Sequence, residues 1–263
     1  MFGDVGAVGV AVDLWLAFYD EIVDPALLAE LRRLMTPEER EQEDRYRFAD
    51  DRKRYRVTRA LVRTALSLRA AVEPEDWVFV TNDYGCPRVA DVHGAAAQLS
   101  FNVSHTRGLV ALAVTQERAL GVDVENVAAR EVSTGIADRF FAPVEVDGLA
   151  AVAPQRRQER FFEYWTMKES YIKARGMGLS IPLDKFSFRF PGDDAVHLAI
   201  DPELGDDAAR WSFLQYRPTP AHLLALCVER RGPSPEPLPR VTIRKVVPTR
   251  GHEPLELPIA RKA

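Results

Sequence analysis

Three apolar runs, LSFNVS at 99–104, LVALAVT at 109–115 and LGVDVEN at 120–126, follow one another with only short polar breaks. Each is too short for a stable isolated helix and rich in β-branched or aromatic residues, so each reads as a strand. Longer stretches with helical spacing lie on both sides of them. A chain that interleaves strands and helices in this way folds as a mixed α+β protein.

Outside these runs, VAVDLWLAF at 10–18 reads as a first strand. Asp24 caps a helix with Pro25 in its first turn, and Thr36 caps another short one. A longer helix is expected over about 50–70. Val57, Leu61, Ala65 and Leu68 form its apolar stripe, and Arg52, Arg56, Arg59 and Arg63 form a basic one. WVFV is a further strand, followed by turn chemistry in NDYGCPRV. The second part holds a helix at about 131–141 and a long one over 156–175. The strands FSFRF, VHLAI and HLLALCVE complete it. This gives two α/β halves, 1–125 and 126–228, without a visible internal sequence repeat. Seven of the 18 prolines fall in 229–263, which predicts an extended or flexible tail without a packed core.

The net charge of −4 and the pI near 5.8 argue against bulk nucleic-acid binding. Two cysteines, Cys86 and Cys227, do not make a disulfide framework and suit a reducing cytosol. The apolar N-terminal run has no basic start, so it reads as a strand rather than a secretory signal. No run is long enough for a transmembrane helix. A cytoplasmic protein is expected, with neither membrane nor nucleic acid as partner.

Four stretches carry candidate chemistry. In GVDVEN, Asp123 and Glu125 alternate with Val122 and Val124. On a strand the valines would face a core and both acids would project together, about 6–7 Å apart. Hard oxygen donors at that spacing suit Mg²⁺; a solvated strand face is the plain alternative. In FFEYWTMKESYIKARGMG, Thr166, Glu169 and Lys173 share a helical face beside the burial stripe of Phe161, Trp165 and Ile172. Lys168 adjoins that apolar stripe, with its stem along it. The plain alternative is a Glu–Lys pair contributing about 0.2–0.5 kcal/mol. Ser104 and His105 emerge where the LSFNVS strand should end, and an imidazole there can serve a phosphate oxygen, act as a base, or simply be exposed. Arginines in RYRFADDRKRYRVTRALVR are surrounded by acids; a mixed solvated surface is the plain reading, and one or two converging arginines would suffice for a phosphate. There is no P-loop, dinucleotide fingerprint, CxxC pair or HExxH motif. Acids and lysines without an evident nucleophile favour transfer between two bound substrates.

Taken in order, N-V-S-H, G-V-D-V-E and W-T-M-K-E-S-Y-I-K-A-R-G resemble the 4′-phosphopantetheinyl transferases of the large single-chain kind. That family carries G-[IV]-D-[IV]-E followed by W-[STA]-x-K-E-[SA]-x-x-K-x-x-G. The resemblance runs from about Pro37 to Val228. It implies a pseudo-twofold pair of similar α/β halves with coenzyme A in the cleft between them. It also implies transfer of the phosphopantetheine arm to a serine of an acyl or peptidyl carrier protein, leaving adenosine 3′,5′-bisphosphate. By resemblance Asp123, Glu125 and Glu169 hold Mg²⁺ or Mn²⁺, and Glu169 is the candidate base. Lys173, His105 and Ser104 meet the phosphates of coenzyme A. Asn102, Lys168, Arg54 and the turn Tyr84-Gly85-Cys86-Pro87 are further candidate contacts.

Glu39, Gln42 and Cys86 stand where members usually place basic residues, and the arginine stripe at 52, 56, 59 and 63 is the expected substitute. An acidic carrier protein would meet a basic or apolar rim, with Arg139, Phe140, Phe141, Met177 and Leu179 as candidates. The two-half length implies a monomer. The alternative reading is a carrier-protein or coenzyme A binding module that keeps the shape without turnover.

Overall fold

The computed structural model describes residues 11–129, 131–132, 134–231 and 237–263. Its elements run β1 (Ala11–Ala17), α1 (Pro25–Arg33), α2 (Pro37–Arg45), α3 (Ala49–Ser67), β2 (Phe79–Thr81), β3 (Pro87–Val89), β4 (Leu99–Thr106), β5 (Leu109–Gln116) and β6 (Leu120–Asn126). They continue with α4 (Thr134–Phe140), α5 (Pro143–Ala150), α6 (Arg157–Arg175), β7 (Phe186–Arg189), β8 (His197–Ile200), β9 (Trp211–Thr219), β10 (His222–Glu229), β11 (Arg240–Val247), β12 (Gly251–Pro254) and β13 (Ile259–Lys262).

Local chemistry sets several of these boundaries. The Asp24 carboxylate accepts from Ala26 N at 2.9 Å and Pro25 opens α1. Thr36 and Glu39 close a reciprocal capping box on α2. Gly176 ends α6 in the left-handed conformation at φ 63°.

Two sheets dominate, ordered β12-β11-β1-β5-β4 in front and β13-β9-β10-β6 behind. Strand alternation gives each sheet two apolar faces. Val12, Leu14, Leu16, Leu109 and Ala111 of the front sheet meet Val122, Val124, Leu214, Leu224 and Leu226 of the back sheet in one core. The opposite front face packs on α1 and α3 through Trp15, Leu61, Leu66 and Leu112. The opposite back face packs on α6 through Phe162, Tyr171, Phe213 and Leu223. The molecule is thus layered helix, sheet, sheet, helix.

The halves repeat one plan. A helix of 19 residues, α3 or α6, leads to a two-stranded hairpin, then an antiparallel pair, then a strand that crosses to the other half. β6 leaves the front half and pairs antiparallel with β10, while β11 leaves the back half and pairs parallel with β1. This exchange corrects two expectations. The break placed after residue 125 falls at the end of a strand that already belongs to the back sheet. The proline-rich segment after 229 is not a free tail, because β11 and β12 extend the front sheet and β13 extends the back one. The prolines mark ends rather than interiors there. Pro248 follows β11, Pro254 closes the edge strand β12 and Pro258 precedes β13. Residues 232–236 lie outside the described residues, as do residues 1–10.

Candidate active site

The site begins at a close approach. A Cβ on Gly121 would lie 2.1 Å from Ser170 O and 2.4 Å from Ala174 N, so only glycine lets β6 rest on α6. With Gly121 against the helix, alternation aims Asp123 at the same helix and buries Val122 and Val124 between the sheets. Lys173 reaches across from α6. Its ammonium donates to Asp123 Oδ1 at 2.7 Å, Ser104 Oγ at 2.9 Å and Val122 O at 3.2 Å. Ser104 in turn donates to Asp123 Oδ1 at 2.9 Å. Glu169 stands one turn before Lys173 and half-buried. Burial, and then the charge of Asp123, raise its pKa, against the pull of Lys173.

His105 lies at the rim of this cluster. Its ring is open to solvent on one side, yet surrounding protein, and then the Arg54 guanidinium, push its pKa down. It is therefore the neutral imidazole at ordinary pH, with one ring N–H to offer. Arg54 pairs with Asp51 at 2.5 Å from the second turn of α3. The Tyr84–Pro87 turn also reaches the cleft, because Asn82 Nδ2 donates to Gly176 O at the end of α6, 2.7 Å away. Asn82 Oδ1 meanwhile accepts from the backbone N–H of Tyr84 and Cys86, and Gly85 takes φ 80°. Tyr84 is exposed and Cys86 half-buried beside Gly176.

Other expected contacts are placed elsewhere. Lys168 points away from the cleft and is fully buried. Its three donors go to Glu145 Oε2, Leu183 O and Phe186 O, each at 2.7 Å. One residue along a helix turns the side chain by about 100°, so a lysine adjacent to Glu169 falls on the core face. Burial raises the Glu145 carboxyl and lowers the Lys168 ammonium in pKa, each opposed by its partner. Asn102 is also buried, and its Oδ1 accepts from Val122 N at 2.9 Å. The Ser104 hydroxyl has its donor and both lone pairs occupied, by Asp123, Lys173 and the N–H of Val124.

The arginine stripe is engaged by the protein's own groups. Arg59 and Arg63 bind Glu39, Arg56 binds Glu43, and Arg52 caps the carbonyl of Tyr46. On the expected rim, Phe140 is 41% exposed beneath Arg139, whereas Phe141 is core, stacked on Phe161. Met177 is half-buried, and the Leu179 side chain lies outside the described residues.

The donor set fits a hard divalent cation. Asp123 Oδ2 is buried and meets no hydrogen-bond partner among the described residues, and Glu169 adds a second carboxylate close enough to feel its charge. Among the described residues, no three His, Cys, Asp or Glu side chains gather into a metal-binding group, so Glu125 does not join the other two in one. It is half-buried two residues along β6. Gly121, Asn82 and Glu145 are the structurally decisive residues that pattern reading gave no role. The glycine of G-V-D-V-E was visible, but its reason lies in a helix some fifty positions away.

Residues 119–227 match the 4′-phosphopantetheinyl transferase superfamily, and residues 25–117 match the N-terminal 4′-phosphopantetheinyl transferase family. The chain is 33% identical over 193 residues to the 4′-phosphopantetheinyl transferase Sfp of Bacillus subtilis, covering 73% of this chain and 81% of that protein. It is 29% identical over 225 residues to the 4′-phosphopantetheinyl transferase HetI of Nostoc, covering 86% and 90%. The two matched segments divide between β5 and β6, where the chain leaves the front sheet for the back one. With β6 and α6 carrying their acids and lysine to one point, the chain belongs to the 4′-phosphopantetheinyl transferase family.

Proposed function

We propose that this protein moves the phosphopantetheine arm of coenzyme A onto a serine of an apo acyl or peptidyl carrier protein, releasing adenosine 3′,5′-bisphosphate. The observation that carries the reading is the joining of Asp123 on β6 with Glu169 and Lys173 on α6, beneath an exposed histidine. Asp123 and Glu169 are the residues that would hold Mg²⁺. When bound, the cation supplies positive charge to the pyrophosphate as the bond to phosphorus breaks.

The protein's own groups do the rest. Lys173 fixes Asp123 and supplies fixed charge at the floor of the site. His105 donates one ring N–H to a phosphate oxygen. Glu169 takes the proton of the attacking serine. Arg54 and the turn at 84–87 flank the nucleotide end. The protein acts as a monomer, since one chain supplies both β6 and α6.

The direct test mixes the protein with an apo carrier protein, coenzyme A and Mg²⁺ and weighs the carrier. A gain of one phosphopantetheine is expected; binding without a mass change would instead indicate a module without turnover. Glu169→Gln should lower kcat by about 10²-fold or more at saturating Mg²⁺. Near-normal turnover in that variant would remove Glu169 as the base.

A further inference from the structure

Among the described residues β6 is an edge strand of the back sheet, and one side of its backbone has no strand partner there. That side lies against β4, the edge of the front sheet. The two edges do not join by backbone pairing. Alternate side chains of β4 instead accept from successive edge N–H groups of β6. Asn102 Oδ1 takes Val122 N at 2.9 Å, Ser104 Oγ takes Val124 N at 3.3 Å, and Thr106 Oγ1 takes Asn126 N at 3.0 Å. Asp123 sits between the first two rungs, and Lys173 caps the Val122 carbonyl on the same edge.

We propose that Asn102 and Thr106 are positioning residues for the transfer reaction. They clamp β6 from the opposite half and thereby hold the Asp123 carboxylate in register with Lys173 and Glu169. Neither need touch a substrate to do so. Asn102 is buried, and the oxygens of both are taken up by β6. The geometry requires side chains rather than backbone here. Backbone pairing would merge the sheets at the spacing of neighbouring strands, about 4.8 Å. Side-chain rungs keep two separate sheets while still satisfying N–H groups that would otherwise be left unpaired at the seam. Ser104 links both tasks, since one hydroxyl accepts from Val124 N and Lys173 and donates to Asp123. Loss of either outer rung frees one end of β6 without removing any group from the cluster itself.

Resting as it does on the transferase reading, this role is tested with two readouts. Thr106→Val keeps the shape of threonine and removes the acceptor; Thr106→Ser keeps the acceptor. In the valine variant the Asn126 amide should exchange faster with solvent in metal-free protein. The Mg²⁺ concentration giving half-maximal transfer should rise about tenfold, in line with the loss of an orienting partner behind a metal ligand. The KM for the carrier protein should stay within about twofold, because the surface it meets is unaltered. Serine should restore both wild-type values. Asn102→Ala should shift the Mg²⁺ requirement in the same direction. A valine variant with unchanged Mg²⁺ dependence, unchanged Asn126 exchange, or a serine variant as impaired as valine would overturn the positioning role. Wild-type protein that transfers nothing would overturn the transferase reading and this role together. An active wild type with an indifferent valine variant would overturn the role alone.

Discussion

Gly121 leaves no space for a side chain. The nearest atoms to a Cβ there are backbone, Ser170 O at 2.1 Å and Ala174 N at 2.4 Å, and a helix cannot yield locally as a flexible side chain can. Gly121→Ala should therefore cost about 3 kcal/mol or more by forcing β6 off α6. Transfer activity should fall even where the protein remains folded, because Asp123 rides on the same strand. Chemical denaturation with kcat measured alongside checks this; an alanine variant of wild-type stability would mean that the two elements do not touch. At this scale the sequence was legible wherever alternation or a single helical turn sufficed. Asp123 with its flanking valines, and Glu169 with Lys173, lie as period-2 and period-3.6 spacing require. Lys168 lies on the apolar side of α6, as its place beside the burial stripe required, but its partner Glu145 is 23 positions away and beyond any local pattern. The partners of the Ser104 and Asn102 side chains were not legible, because they lie on another strand.

Among elements, α2 and the β2–β3 hairpin each tie down a neighbouring helix. Burial alone would raise the Glu39 carboxyl, but Arg59 and Arg63 outweigh it and hold its pKa below the usual value. Those two arginines lie 20 and 24 residues from Glu39, beyond any local pattern, and their ion pairs cement α2 to α3. The hairpin makes the opposite kind of link. Asn82 holds its own turn through Oδ1 and grips the end of α6 through Nδ2. Asn82→Asp keeps the turn-forming oxygen but sets a carboxylate against the Gly176 carbonyl. The turn should keep its shape and lose its seat on α6, raising the KM for coenzyme A about fivefold to tenfold, the scale of one lost hydrogen bond. The kcat should stay within about twofold, since Asp123, Glu169 and Lys173 are unaffected. Steady-state kinetics with coenzyme A varied decides it. An unchanged KM would separate the 84–87 turn from nucleotide binding.

Over the whole molecule, the strand exchange makes the two halves mutually dependent. Each gives the other its last strand, and the segment after residue 236 completes both sheets. Arg244 on β11 binds buried Asp13 at 2.6 Å, opposite Arg69 at 2.8 Å, so β1 is held by a charge clamp as well as by its ladder. At the other sheet Ala263 exchanges two backbone hydrogen bonds with Phe213, and Arg261 reaches buried Glu163. Proline counting concealed this. RVTIRKVV lies free of proline between Pro239 and Pro248, but its partner strand is at the far end of the chain. Ending the chain at Arg231 would strip β1 of its outer neighbour and leave an apolar strand as a bare edge, a template for aggregation. It would also leave Asp13 with one arginine and Glu163 without Arg261. The truncated protein is expected to be recovered mainly as aggregate, or as a soluble species without a cooperative thermal transition and without transfer activity. A monomeric truncation that melts cooperatively near the full-length temperature would mean that β11 to β13 decorate the fold rather than complete it.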